Sequence, residues 1–388
     1  MNKSDLKSVM QLASSYAVDG VNVLDLRLHP RDKIEWLETG LKAAKMEGNQ
    51  SAESAHLGNL GNAYSDLGET RKAIGYMERS LKIIRKIGDR WGEGSELGNL
   101  GLAYFDLGEI RKAIEYHEQA LTIDREIGDR RGEGARLGNL GLAYVYLGET
   151  RKAIEYYEQA LTIAREIGNK RNEGNNLGNL GLAYADLGET RKAIEYHEQA
   201  LTIDREIGYR NGEGADLSNL GLSYAELGES RKAIEHHEQA LAISHEIEDK
   251  QNEGEYLCNL GKAHLDLNET DKTIEYCTQS LDLAHKIEYR KIEGDALCTL
   301  GKAHTNSGNL TQALDHCDQA LKIFQEIEYR KGEAEALFAK SLALNRLDQR
   351  PEAVNCVQEA LQIFVQIESP LAEKVRRKLA EWAVPGEN

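Results

Sequence analysis

Along residues 89–128, DRWGEGSELGNLGLAYFDLGEIRKAIEYHEQALTIDREIG, apolar and polar positions follow a helical beat. Leu97, Leu100, Gly101, Tyr104 and Leu107 fall at i, i+3, i+4, i+7 and i+10, one stripe of a helix. The spacing predicts a first helix from about Trp91 to Leu107, ended by Gly108, which accepts the left-handed cap conformation. Glu109 opens the next helix, where a negative charge suits the dipole. That helix is expected from about Ile110 to Ile127. Its buried stripe is Ala113, Ile114, His117, Ala120, Leu121 and Ile127, and Gly128 closes it. The pattern returns every 40 residues without slipping, at Leu60, Leu100, Leu140, Leu180, Leu220, Leu260 and Leu300. Glutamates keep the same time, from Glu53 and Glu93 through to Glu333. A fixed period of this length marks a solenoid, in which each unit buries its apolar face on its neighbours.

The spacing Leu97-x-x-Leu100-Gly101-x-x-Tyr104, then Ala113-x-x-x-His117 and Ala120, resembles the tetratricopeptide repeat. Leucine stands for the family's tryptophan, His or Tyr for its phenylalanine, the proline is absent, and the unit is longer. In its length and GNLG core the unit looks like the repeats of Pins-type cell-polarity adaptors and of many bacterial tetratricopeptide proteins. The resemblance implies an all-α fold, a right-handed superhelical solenoid of helix-turn-helix repeats. Eight units are expected over residues 51–370. Residues 1–50 read as an N-terminal segment with a degenerate leading repeat, since Ile34, Trp36 and Leu41 match the phase of Ile74, Tyr76 and Leu81. Its second helix is expected over 31–48 and its first within 1–29. Residues 371–388 read as a charged amphipathic capping helix and tail. The array reads as one solenoid with two textures. After about residue 245, Gly208 gives way to Glu248, Glu288 and Glu328, and cysteines appear.

A second stripe is the candidate site. At 100° per residue, Ser95, Gly98, Asn99, Leu102, Phe105 and Asp106 lie opposite the core stripe. In tetratricopeptide proteins the corresponding face lines the concave groove that receives ligands. Asn59, Asn99, Asn139, Asn179, Asn219 and Asn259 recur there. A carboxamide donates and accepts at once, so a ladder of them can hold a peptide backbone whatever its sequence. This is similar to the ladders of the tetratricopeptide domain of O-GlcNAc transferase and of importin-α. The alternative is that they bond neighbouring helices. Leu102, Leu142, Leu182 and Leu222 become Lys262 and Lys302 farther along, which suits a ligand with an apolar segment followed by acidic residues. Alternatively the leucines pack between adjacent first helices and the lysines snorkel to water. Asp106, Asp186 and Glu226, with Asp66 and Asp266, either select basic side chains or are solvated carboxylates, and Tyr146 interrupts their row. The Hsp90-type clamp needs a lysine where this chain has Gly, Ser or Cys, so binding of chaperone tails is not expected.

Charge narrows the partners. The net charge of −17 disfavours nucleic acid and anionic membrane surfaces, both of which call for cationic groups. No apolar run approaches the ~20 residues of a membrane span, and MNKSDLKSVMQLASSYAVDG is a poor secretory signal. Five late cysteines, an odd number, read as reduced thiols of a cytoplasmic protein. Cys258/Cys298 and Cys277/Cys317 pair by phase near His264 and His304, but without metal-ligand spacing, so no metal and no cofactor are expected. Cys277 and Cys317 take the core place of His117. His236–His237 reads as one surface and one core histidine. No catalytic motif such as GxSxG is present, and the Arg-Lys pairs opening the second helices read as a solvated outer face. The expectation is a non-enzymatic protein-interaction scaffold or adaptor, monomeric, binding an extended peptide or a helix in its groove. The alternatives are a sensing subunit that controls a separate effector, and a self-assembling structural solenoid.

Overall fold

A computed structural model describes residues 30–367, 369 and 371–383, so the helix expected within 1–29 lies outside the described residues. Among the described residues there are eighteen α-helices and no strand. Tertiary contacts divide the chain into two compact units, Met1–Ala183 and Tyr184–Asn388. The first contains α1 (Pro30–Glu47), α2 (Gln50–Asp66), α3 (Thr70–Ile87), α4 (Arg90–Asp106), α5 (Ile110–Ile127), α6 (Arg130–Tyr146) and α7 (Thr150–Glu166). Next comes α8 (Lys170–Asp186). The second contains α9 (Thr190–Glu206), α10 (Arg210–Glu226), α11 (Ser230–Glu246), α12 (Lys250–Asp266) and α13 (Thr270–Lys286). It continues with α14 (Arg290–Ser307), α15 (Leu310–Glu326), α16 (Arg330–Arg346), α17 (Arg350–Gln366) and α18 (Leu371–Ala383). Within each unit consecutive helices pack on one another, which makes each an all-α stack of helix-turn-helix pairs.

The helices end where left-handed residues fall. Gly108 and Gly128 have φ of 75° and 74°. In the second unit Glu248, Glu288 and Glu328 hold the same conformation at 57°, 55° and 54°, although a Cβ disfavours it. One expectation changes. Ile127 is 39% exposed rather than buried, because it ends α5 at the turn, where the chain leaves the packed layer. Glu109 sits at the helix N-cap but makes no side-chain cap bond. Its carboxylate pairs with Lys112 at 2.5 Å instead.

Six repeats are each locked at one glycine, and Ser341 takes that phase in the last. A Cβ added at Gly101 would lie 2.5 Å from His117, at Gly141 2.5 Å from Tyr157, and at Gly61 2.6 Å from Met77. In the second unit Gly221 faces His237, Gly261 faces Cys277 and Gly301 faces Cys317 at 2.3–2.6 Å. A glycine of the first helix therefore receives one large or polarisable side chain of the second. Cys277 and Cys317, fully buried, serve this packing role. His237 is buried in its lock, while His236 is half-buried and stacks on Tyr224.

Ion pairs tie repeats together along one edge. Arg85 Nε donates to Glu93 at 2.8 Å and Arg90 to the same carboxylate at 2.6 Å. Arg125 and Arg130 hold Glu133, Arg165 and Lys170 hold Glu173, and Arg205 and Arg210 hold Glu213. The recurring glutamate is thus a contact between successive repeats. At the last helix, Val375 of α18 is buried with Val357 and Phe364 of α17, with Leu379 and Trp382 beside them.

Two measurements check this packing. Gly141→Ala should destabilise by about 1–2 kcal/mol net, since overpacking outweighs the ~1 kcal/mol helix-propensity gain. Gly75→Ala, whose added Cβ meets nothing within 4 Å, should stabilise by about 1 kcal/mol. Urea denaturation of both variants would show opposite signs, and a shared sign would contradict the lock. The second test uses pH. Burial, aided by Arg136, lowers His117 to about 4, and burial lowers His237 to about 3. The unfolded chain protonates these rings near pH 6.5 and so binds more protons than the folded one below that value. The contribution of these two rings to stability is therefore lost as pH falls from about 6.5 toward 4. His117→Met, the residue found at Met77, should shallow that slope in denaturation series at pH 7, 6 and 5.

Candidate functional site

In the first unit the second stripe of α4 and α6 is open. Leu102, Leu142 and Leu182 keep 45%, 40% and 46% of their surface exposed, so packing between helices does not use them up. Phe105 and Tyr146 touch in a T-shaped pair, ring centroids 4.8 Å apart, and Tyr146 is 66% exposed. The asparagines divide. Asn99 is half-buried, and its amide lies beside the Glu96 carboxyl, one turn back on its own helix. Asn59 is half-buried and has a partner. Asn139 and Asn179 are half-buried, and neither side chain makes a hydrogen bond among the described residues. Asp66 lies 4.0 Å from Lys33, and Asp106 is exposed.

The second unit differs. Asn219 resembles Asn179, half-buried and without a side-chain bond among the described residues. Asn259 is buried and its Nδ2 donates to Ser218 Oγ of the preceding repeat at 3.4 Å, so it bonds a neighbouring helix. Leu222 is 40% exposed. Lys262 and Lys302 are half-buried. Burial works against the Lys262 charge, but Cys258, Asp295 and Glu335 hold its pKa above the ordinary lysine value. Cys298 does the same for Lys302 against burial, with Glu335 helping. Both ammonium groups thus have acidic neighbours within the protein. Desolvation raises the Asp186 and Asp266 carboxyls, with Lys331 and Lys374 respectively opposing it. Glu226 accepts from Thr190 Oγ1 at 3.2 Å.

One phase of buried or half-buried residues, polar in its first six members, escaped the sequence reading. His56, Glu96, Arg136, Asn176, Asp216, Tyr256, Ala296 and Ala336 share one phase. Glu96 comes within 2.9 Å of a Cβ added at Gly58, and the Arg136 guanidinium fills the notch over Gly98. Arg136 also approaches Asp124 at 3.4 Å, and Asp216 approaches His197 at 3.6 Å. Burial raises the Glu96 carboxyl to about 7, with the nearby polar side chains of Ser80 and Asn99 opposing it. The signal for this seam was available: no other buried position varies so much between near-identical repeats. The glycines Gly58 and Gly98 accordingly serve helix packing.

Stacked aromatic pairs recur at the other side of the first helices, Tyr64–Tyr76, Tyr104–Tyr116 and Tyr144–Tyr156 at 5.2–5.3 Å. Lys72 and Lys152 lie over the first rings at 3.8 and 3.9 Å, so these members of the Arg-Lys pairs cover aromatic surface. An outer cleft of about 360 Å³ between α5 and α7 is lined by Glu118, Arg125, Lys152, Glu155 and Tyr156, a polar lining of both signs. Among the described residues no cluster of His, Cys, Asp or Glu could hold a metal ion, and no helix is long and apolar enough to cross a membrane.

Family models described as tetratricopeptide repeat match residues 95–166, 137–206, 213–286 and 293–364, well over half of the chain, and a second such model matches 56–90. No curated protein matches by sequence. Among solved structures, a STAND-type signal transduction ATPase with a tetratricopeptide repeat sensor, from Pyrococcus horikoshii, is 18% identical with a TM-score of 0.65. The match covers 96% of this chain and 55% of that one. Aspartyl phosphate phosphatase F from Bacillus subtilis is 14% identical with a TM-score of 0.64, over 94% of each chain. A Rap protein complexed with competence and sporulation factor is 15% identical with a TM-score of 0.63, over 97% of this chain and 99% of that one. At these identities the likeness establishes the fold.

Proposed function

Because this chain belongs to the tetratricopeptide repeat family, we propose that it is a non-enzymatic protein-interaction module that holds an extended peptide on the inner stripe of its first helices. The observation that carries this reading is the stripe of the first unit. Exposed Leu102, Leu142 and Leu182 alternate there with the uncommitted amides of Asn139 and Asn179. Apolar anchors beside groups that both donate and accept suit a peptide main chain. Asn219 and Leu222 offer the same chemistry in the second unit. Asn259, bonded within the protein, plays no part in this reading, and Asn99 is left out because it lies beside the buried Glu96 carboxyl. The acidic ligand end expected at Lys262 and Lys302 is not part of this reading, since Asp295 and Glu335 lie near the Lys262 charge and Glu335 near that of Lys302.

A second reading, a sensing subunit that acts on a separate effector, draws on the end-to-end likeness to a Rap protein described in complex with a competence and sporulation factor. In this reading the chain would compact on its ligand, which small-angle scattering with and without peptide distinguishes from a rigid adaptor.

The test of the main reading starts from random peptides displayed on phage and selected on the whole chain. The combined variant Asn139→Ala, Asn179→Ala should weaken a selected peptide by about tenfold or more, as two amides lose bonds of about 1 kcal/mol each. Helicity by circular dichroism should not change. Undiminished affinity would remove the amides from the site.

A further inference from the structure

We propose that the inner face of α4 and α6 takes a cationic, aliphatic peptide segment. An arginine or lysine side chain of the ligand lies against the Tyr146 ring and the Asp106 carboxylate, and aliphatic neighbours rest on Leu102 and Leu142. The inference rests on the groove reading above and adds the chemistry of the occupant.

Two departures from the repeat meet here. Residues 98–128 and 178–208 differ only at Phe105/Ala185 and Ile110/Thr190. At the phase of Tyr146 other repeats carry Asp66, Asp106, Asp186, Glu226 and Asp266, then Asn306 and Arg346 late in the chain. The aromatic pair therefore arises from an exception in each of two adjacent repeats, and the fold brings the two exceptions into ring contact at 4.8 Å. Tyr146 contributes little to the core, being 66% exposed.

The charge at this place has one sign. Asp106 follows Phe105 directly, is exposed, and forms no ion pair among the described residues. The cations that share the helical phase of the inner stripe, Arg131 and Arg171, lie in the first turns of α6 and α8. That is about 20 Å along the helix from the level of Tyr146, at 1.5 Å per residue. An aromatic face attracts a cation, and a carboxylate beside it strengthens the hold by a charge-assisted hydrogen bond. An anionic ligand at the same place meets repulsion from both.

The experiment uses three fluorescein-labelled heptapeptides, alternating leucine with arginine, glutamine or glutamate, and anisotropy with the whole chain at near-physiological salt. The arginine peptide should bind about tenfold tighter than the glutamine peptide, and the glutamate peptide weakest. Asp106→Asn and Tyr146→Ala should each remove most of that preference, while Tyr146→Phe keeps it. Glu155→Gln, on the outer helix face, should leave it unchanged. Equal losses from Glu155→Gln and Asp106→Asn would mean diffuse attraction to the net charge and would overturn the proposal. Glutamate peptide binding as tight as arginine, and sensitive to Leu142→Ala, would overturn it while the groove reading stands. Absence of binding by all three, or binding indifferent to Leu142→Ala, would count against both.

Discussion

The close approach of two helices at a glycine notch is the constraint on which the rest of this structure depends. Gly101 has no Cβ, so the His117 ring can seat directly on the first helix, and Tyr157, Cys277 and Cys317 seat the same way on Gly141, Gly261 and Gly301. The notch fixes the rotation of the first helix about its axis. Once Gly101 faces the second helix, Leu102 is turned 100° away and cannot reach the same core. The residue after each notch glycine is therefore the one left on the inner stripe: Asn62, Leu102, Leu142, Leu222, Lys262 and Lys302. The candidate binding surface is a by-product of the packing rule that builds each repeat.

A second contact, between successive first helices, explains the change of texture late in the chain. Early repeats place a large polar residue against a glycine of the preceding repeat, Glu96 on Gly58 and Arg136 on Gly98. Later the sizes are exchanged. Cys298 stands at the glycine phase and shares a buried cluster with Ala336, which stands at the phase of Arg136. One side fills as the other empties, which keeps the interior near close packing. Cys258 and Cys298 are thus explained as seam residues, and Cys277 and Cys317 as notch residues. The left-handed glutamates Glu248, Glu288 and Glu328 have no such compensation that the structure shows.

The fold was legible because periodicity reports packing, and packing is what repeats. Helix limits came out within a residue, and the core stripe held except at Ile127, where a helix end overrides phase. The site was legible only in outline. The phase that exposes Leu102 also carries Asn99 and Asn259, yet the first lies beside the buried Glu96 and the second is bonded to Ser218. Those partners lie at positions that vary between repeats, so the 40-residue beat carries no signal for them. The surroundings of Lys262 were hidden for a related reason, since Asp295 and Glu335 come from the next two repeats. The Phe105–Tyr146 contact joins two exceptions that a single repeat, read alone, cannot relate.

The central claim is that ligands lie on the inner stripe rather than on the outer face. A photo-crosslinking residue placed at Leu142, and separately at Gln159 in the outer cleft, tests it with any peptide selected on the whole chain. The account predicts a peptide adduct from position 142, competed by unlabelled peptide, and none from position 159. An adduct from position 159 alone would contradict it.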